Sequence, residues 1–484
     1  MLKSTHRISF VLFAKVVLGR DRQHSFLTSF TLSPIGAYFM PLAKLINHIK
    51  IKVLTPMKIK LILLSFLSVA IMSQSCKKSD NTAPTTGNVS GTITVASSGA
   101  AIAGARIIVF NANNNSPQGN SFVTGSDGKY SIALLPGSYY LKIYSQGYIN
   151  IPALGSAVAF TITAGATVTN NYAMYPGTLV SPGILSGKVT SSGNAVANVL
   201  VTAVNGANSM IFSSSITDAS GNYTIYNLPA GSYNVQGWIA GYNSSATTGV
   251  AVVANMQTAN VNLALTAGAT GQVTGSITFL ATSNREVDVE LLNPYTLETI
   301  PGLSVMTSSY NYSISNVPAG FYVSTASFQN DGIVMDPDWI AKNGTPTVTV
   351  TTSSVIRNFS VTGAVSLISP TNAMASSIPV ATTATPTFSW TAYPSSSDYV
   401  VEVMTASGKV IWGGFSSNFT VKNSPYIPSS QTSIVYNSDA TATEPLRVGN
   451  VYRWRIYASK NSVTVPPFTL ISMSEDQQGL IIIQ

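Results

Sequence analysis

Residues Thr217 to Tyr242 read TDASGNYTIYNLPAGSYNVQGWIAGY, and the fold follows from that phrase. Asp218 and Gly221 hold the first and fourth places of a β-turn, where an Asp side chain caps backbone N–H groups and glycine fits the tight exit. Beyond the turn, Tyr223, Ile225 and Leu228 point one way, and Thr224 and Tyr226 the other. That period of two marks a strand with one buried face. Pro229-Ala230-Gly231 turns the chain again, since proline presets one dihedral and glycine tolerates a positive one. Tyr233, Val235 and Gly237 open the return strand, giving a meander of antiparallel strands.

The phrase recurs. Thr124 to Tyr148 reads TGSDGKYSIALLPGSYYLKIYSQGY, with a tighter Asp127-Gly128 turn. Thr307 to Tyr322 reads TSSYNYSISNVPAGFY and places Tyr310 where Gly221 stood. Each copy has an opening strand with a small-Gly pair, Ser90-Gly91, Ser186-Gly187 and Thr274-Gly275. Each closes on a related tetrad: Asn171-Tyr172-Ala173-Met174, Asn262-Leu263-Ala264-Leu265 and Asn358-Phe359-Ser360-Val361. Tyr130 and Tyr223 are 93 residues apart, and Tyr223 and Tyr312 are 89 apart. A period that long is a whole small domain rather than a solenoid unit, so the copies are tandem domains.

An Asp-bearing turn ending in G-x-Y, followed by L-P-G-x-Y or L-P-x-G-x-Y, resembles the carboxypeptidase regulatory-like domain. That family is a transthyretin-like β-sandwich found in tandem on bacterial surface proteins. The resemblance covers residues 88 to 363 and is weaker in the third copy, which lacks the Asp-Gly turn. It implies sandwiches at 88–178, 184–268 and 271–363, and it implies a fold rather than an activity. The clean alternation of Val287-Asp288-Val289-Glu290-Leu291 adds a strand with one polar face to the third. Residues 364–484 change style. Trp390 on an early strand and Tyr452-Arg453-Trp454-Arg455-Ile456-Tyr457 on a late one resemble a fibronectin type III or related immunoglobulin-like module. Trp390, Tyr452, Trp454 and Ile456 are expected to face its core, and Arg453, Arg455 and Tyr457 to face out. The expected fold class is all-β, a row of antiparallel Greek-key sandwiches that fold independently of one another.

The formal charge of +8 resides in the leader. Residues 1–75 carry ten Lys/Arg and one acid, which leaves 15 basic and 16 acidic residues in the remainder, so no positive field invites nucleic acid. Met57-Lys58-Ile59-Lys60 is a positive n-region and Leu61 to Met72 an apolar segment too short to be a comfortable membrane span. Ser73-Gln74-Ser75 then precedes Cys76, the only cysteine. This order resembles a bacterial lipoprotein signal, 57–75, in which Cys76 is lipidated and anchors the chain to a membrane. Residues 1–56 are read as an extension upstream of the true start at Met57, and 76–87 as anchor and linker. The resemblance implies an outer-membrane lipoprotein on the surface of a Gram-negative cell.

The chemistry available after Cys76 is narrow. His6, His24 and His48 all precede it, so Ser-His-Asp and Cys-His catalysis and the usual His/Cys zinc sites have no residues to use. The zinc peptidase to which the regulatory-like module is joined in some enzymes thus has no counterpart, and no catalytic residue or cofactor is assigned. The densest acidic cluster, Asp331, Asp336 and Asp338, offers oxygen ligands for calcium but reads better as turn-forming. Lys188 sits where the crosslinking lysine of collagen-adhesin B-type domains would, but Asp218 is the only acid nearby in sequence and belongs to a turn. Flat aromatic faces are the remaining candidates for ligand contact: Trp238, Tyr242, Trp339 and Trp412. The expectation is a non-catalytic envelope protein for binding, adhesion or spacing, with a glycan or protein ligand. The alternatives are a carbohydrate-binding component of a glycan-uptake system, or an accessory subunit to an enzyme on another chain.

Overall fold

The computed structural model describes residues 86–484 except 154–158, 210, 245, 283–285, 328–331, 373–378, 407 and 464–465. The leader and Cys76 lie outside the described residues. The chain is all-β: among the described residues, the helix Pro337–Asn343 is the one α-helix. No helix there is long and apolar enough to cross a membrane.

The first three sandwiches share one plan. The opening strands Gly87–Val95, Gly183–Ser191 and Thr270–Phe279 pair antiparallel with Lys129–Leu134, Asn222–Leu228 and Asn311–Pro318, the strands after the quoted turns. The second sheet of each centres on Arg106–Asn111, Leu200–Asn205 or Val287–Leu292, flanked on one side by the strand that follows it and on the other by the return strand of the phrase. The third sandwich has this order despite its missing Asp-Gly turn. The sheets are mixed rather than purely antiparallel, because each opening strand also runs parallel to the closing tetrad, at Ile93↔Tyr172, Val189↔Leu263 and Ile277↔Phe359.

Each repeated residue has a physical task. A methyl group at Gly91, Gly187 or Gly275 would collide with the carbonyl of Asn170, Val261 or Arg357, so only glycine lets the closing segment approach. The phenol of the following tyrosine lies beside that glycine and donates to the same carbonyl, from Tyr130 at 2.7 Å, Tyr223 at 2.6 Å and Tyr312 at 2.6 Å. The asparagine of each closing tetrad accepts from an opening-strand N–H that its sheet leaves over: Thr92 to Asn171 at 2.9 Å, Lys188 to Asn262 at 3.0 Å and Ser276 to Asn358 at 2.9 Å. The second tyrosine folds back on its own turn, Tyr139 to Leu135, Tyr233 to Pro229 and Tyr322 to Pro318. At the first turn Gly128 and Gly221 have positive φ and accept from Ile93 and Val189. Tyr310 accepts the same bond from Ile277 without a positive φ, which is why a side chain is tolerated there. Leu228 shares the buried face of Ile225 although three residues away, because a bulge between them resets the alternation. Gly187→Ala is expected to cost about 1–3 kcal/mol as an overpacking change. Denaturant titration of wild type and variant checks it, and an unchanged midpoint would show that the close approach is dispensable.

The sandwiches are not independent, and here the sequence expectation is corrected. Inner-face residues such as Ile107, Val109 and Leu141 fill the first core, and Val201, Ala203 and Val235 the second. The outer faces of the same strands, with Ile108, Phe110, Tyr140, Tyr144, Leu200 and Ile216, join the core of the third sandwich in one cluster. Arg106, buried, donates to Ser215 Oγ at 3.1 Å and to the Ile216 carbonyl at 2.8 Å, tying the first sandwich to the second. A clasp repeats at the junctions. The Asn227 carboxamide donates to Ser145 O and Tyr148 O and accepts from the Gly147 N–H at 2.8 Å, gripping the Gly147-Tyr148 turn of the preceding sandwich. At the next junction the Gly241 N–H bonds to the carbonyl of Asn316, the residue at the same place in the third copy. The residue at this place thus docks at both junctions, Asn227 through its carboxamide and Asn316 through its backbone carbonyl, and in both cases it has positive φ.

Residues 364–484 form a sandwich of a three-stranded and a seven-stranded sheet. Trp390, Tyr452, Trp454 and Ile456 lie in its core. Arg455 and Tyr457 do not face solvent. Arg455 donates to Asp476 at 2.8 Å, Tyr457 donates to Glu402 at 3.2 Å and packs edge-on to Phe415, and Arg453 is likewise largely covered. The segment that carries Asp476 covers Arg455, and Phe415 packs on Tyr457 beside Phe468 of the neighbouring strand Phe468–Met473. The module docks on the third sandwich, with Gly332 N to Glu475 at 3.1 Å and Leu470 N to Asp338 at 3.2 Å.

Candidate functional site

The second and third sandwiches leave a cleft of about 320 Å³ beside their junction. Trp238 and Tyr242, two of the four aromatic candidates, both line it. Trp238 ends the return strand Gly231–Trp238, and Tyr242 follows the clasped turn, so the phrase that sets the fold also delivers both rings to one place. Ala240 N donates to Pro301 O at 3.0 Å, pinning this edge to the third sandwich. The indole N–H of Trp238 is committed to Thr202 Oγ1 at 3.0 Å, and its ring meets Tyr322 edge-on at 6.4 Å. The Tyr322 hydroxyl is committed to Pro318 O, so that ring forms a buried apolar floor. Ile300 and Leu303 extend the apolar wall, while Gln236 and Asn243 are polar residues of the lining. No Asp, Glu, Lys, Arg or His lines the cleft, so it can hold a ligand but offers no general acid or base beyond a tyrosine phenol. The contributions of Tyr322, Leu303 and Ile300 carried no local signal in the sequence, because they come from a different domain.

The other candidates are placed elsewhere. Trp412 is 2% exposed, donates to Asp439 at 2.8 Å and packs against Phe388 and Tyr436, so it is core and not a platform. Trp339 is 37% exposed on the short helix Pro337–Asn343 and is not among the residues that line the cleft. Asp336 caps that helix, accepting from Asp338 N and Trp339 N. Asp338 pairs with Lys342 at 2.6 Å and accepts from Leu470 N, which docks the helix on the fourth module. Asp331 lies outside the described residues. Among the described residues no three His, Cys, Asp or Glu side chains converge as a metal site would require. Lys188 is exposed on its strand, outside the buried setting a crosslink would need.

A second cluster is electrostatic. The strand Val287–Leu292 is buried on both faces, because the first sandwich covers the side that carries Asp288 and Glu290. Asn115 and Thr299 both donate to Glu290, Thr299 at 3.0 Å. Glu298 meets both neighbours, as an ion pair with Lys142 of the first sandwich at 2.9 Å and as acceptor from Ser214 of the second. Burial penalises the Glu298 carboxylate, but Lys142 and the bonds from Lys142 and Ser214 outweigh that and hold its pKa below the usual range. At Glu290 burial outweighs the Thr299 bond and the attraction of Lys142. Burial, reinforced by Asp288, pushes it up to about 8, and burial with Glu286 raises Asp288 to about 7.

Residues 88–175 and 184–266 match the family described as the carboxypeptidase regulatory-like domain. No curated protein matches the chain. Among solved structures, the Bacillus anthracis TIE protein is similar at 16% identity over 58% of this chain and 51% of its own, with a TM-score of 0.17. The chain thus spans about half the length of that protein. GBS52, the minor pilin of Streptococcus agalactiae, is similar at 17% identity over 38% of this chain and 96% of its own, with a TM-score of 0.16. A leucine-rich repeat protein from Bacteroides thetaiotaomicron is similar at 16% identity over 38% and 26%, with a TM-score of 0.22. Likenesses at these scores carry no argument about what this chain does.

Proposed function

We propose that this chain, with two carboxypeptidase regulatory-like domains and a third sandwich of the same plan, is a non-catalytic binding protein of the cell envelope. Lipidated Cys76 tethers it to the outer membrane of a Gram-negative cell, and the described residues are its ligand-binding part. The observation that carries the reading is the cleft beside Trp238 and Tyr242, which gathers aromatic and polar residues and no charged group. The absence of histidine after His48 supports a role without acid–base catalysis at neutral pH. Three sandwiches that share a core hold the cleft in fixed geometry. Cys76→Ser in cells is expected to abolish acyl labelling and leave the precursor uncleaved after Ser75. Continued labelling and processing of that variant would overturn the anchor.

A further inference from the structure

We propose that the cleft between the second and third sandwiches is a composite site for an uncharged sugar, of one or two pyranose rings, that neither sandwich forms alone. This rests on the binding reading above and gives it a ligand class.

The aromatic polar atoms on the inner side are already spent. The Trp238 N–H bonds to Thr202 and the Tyr322 hydroxyl to Pro318, so these rings present carbon surface to the space. Tyr242 also lines the cleft, and its hydroxyl makes no hydrogen bond to another described residue. The lining therefore combines aromatic and aliphatic carbon with the polar residues Gln236, Tyr242 and Asn243. A pyranose has the matching division, an apolar C–H face and a ring of hydroxyls that each donate and accept. The charge pattern selects further. No lining residue is cationic or anionic, so a carboxylated or sulfated sugar would lose its hydration without a counter-charge. The volume selects against an extended peptide. About 320 Å³ lies at the lower end of ligand pockets and suits one or two sugar rings. The walls come from both sandwiches, Trp238, Tyr242 and Asn243 from one and Leu303, Ala319 and Tyr322 from the other, and the Ala240–Pro301 and Gly241–Asn316 bonds fix their spacing.

The test uses the purified full chain and a panel of uncharged disaccharides (cellobiose, maltose, lactose, chitobiose and mannobiose) beside glucuronic acid- and sialic acid-bearing sugars. Binding is read by calorimetry and by tryptophan fluorescence. At least one uncharged sugar is expected to bind, and the acidic ones to bind at least about tenfold more weakly. Ala319 is an exposed lining residue outside the cores, so Ala319→Trp fills the cleft without disturbing them and is expected to abolish binding at unchanged melting temperature. Tyr242→Phe is expected to weaken it about three- to tenfold. Binding of no uncharged sugar, preference for the acidic ones, or full binding by Ala319→Trp would each overturn the proposal. The envelope reading is judged separately by the labelling of Cys76, so the two can fail independently.

Discussion

Replacing Tyr223 with alanine is expected to cost about 3–5 kcal/mol and to lower the melting of the first three sandwiches together. The ring is 1% exposed, fills the second core beside Gly187, and donates its hydroxyl to Val261 O at 2.6 Å. Alanine leaves a cavity and also a buried carbonyl without its donor, and both effects have the same sign. A domain of this size has only about 5–10 kcal/mol of stability, so the second sandwich is brought near unfolding. Its outer face is part of the neighbours' packing, through Leu200 and Ile216 in the shared cluster, the Arg106 bonds to Ser215 and Ile216, and the Asn227 clasp. Loss of the second sandwich therefore exposes apolar surface on the first and third. Scanning calorimetry of the full chain checks this. A single small transition moving down while the rest stays in place would mean that the shared cluster contributes nothing to stability.

Stability is also expected to fall as pH rises from about 5 to about 8, by an amount on the order of a few kcal/mol. The sign follows from the direction of the shifts. Asp288 and Glu290 keep their protons in the folded chain up to about pH 7 and 8, whereas the unfolded chain releases them near the ordinary carboxylate values. In that interval folding takes up protons, so the stabilisation is complete below the unfolded values and is lost as pH climbs through the folded ones. Glu298 works in the opposite direction at lower pH, because Lys142 and Ser214 favour its charged form. Glu290→Gln keeps the shape and removes the titration, so its denaturation midpoint is expected to vary less across pH 5–8 than wild type. Equal pH slopes in the two proteins would exclude Glu290 as the source. From histidine content alone, the chain should be indifferent to pH in this range; a carboxylate enclosed between two sandwiches makes it sensitive.

What the sequence disclosed and what it hid divide along the faces of the strands. The quoted phrase carried its own explanation, since Asp218, Gly221, Tyr223, Tyr233 and the closing Asn262 act within one domain and over contacts the repeat makes visible. Period two identifies two faces but does not say what covers the second one. Val287 to Leu291 read as half-exposed and is covered by another domain, and of the residues read as outward, Arg455 pairs with Asp476 and Tyr457 lies against Phe415. A signal was present in Arg106-Ile107-Ile108-Val109-Phe110 and Leu200 to Val204, which are apolar on both faces, as strands buried on both sides are. Of the aromatic candidates, Trp238 and Tyr242 converge, whereas Trp412 is enclosed by its own module, and nothing local distinguishes a core tryptophan from a lining one.

The parallel pairing of first and last strands bears on load. In each sandwich the chain enters at one end of the opening strand and leaves near the opposite end of its parallel neighbour, at Ile93↔Tyr172, Val189↔Leu263 and Ile277↔Phe359. Tension applied along the chain therefore slides these strands past each other, so that their hydrogen bonds resist in unison instead of unzipping one after another. The tyrosine-to-carbonyl bonds across the same seam, at 2.6–2.7 Å, add a crosspiece that must break in the same event. Forced unfolding is governed by the height of that barrier rather than by equilibrium stability. A domain of modest thermodynamic stability can thus still serve as a stiff link in a tether pulled from its ends.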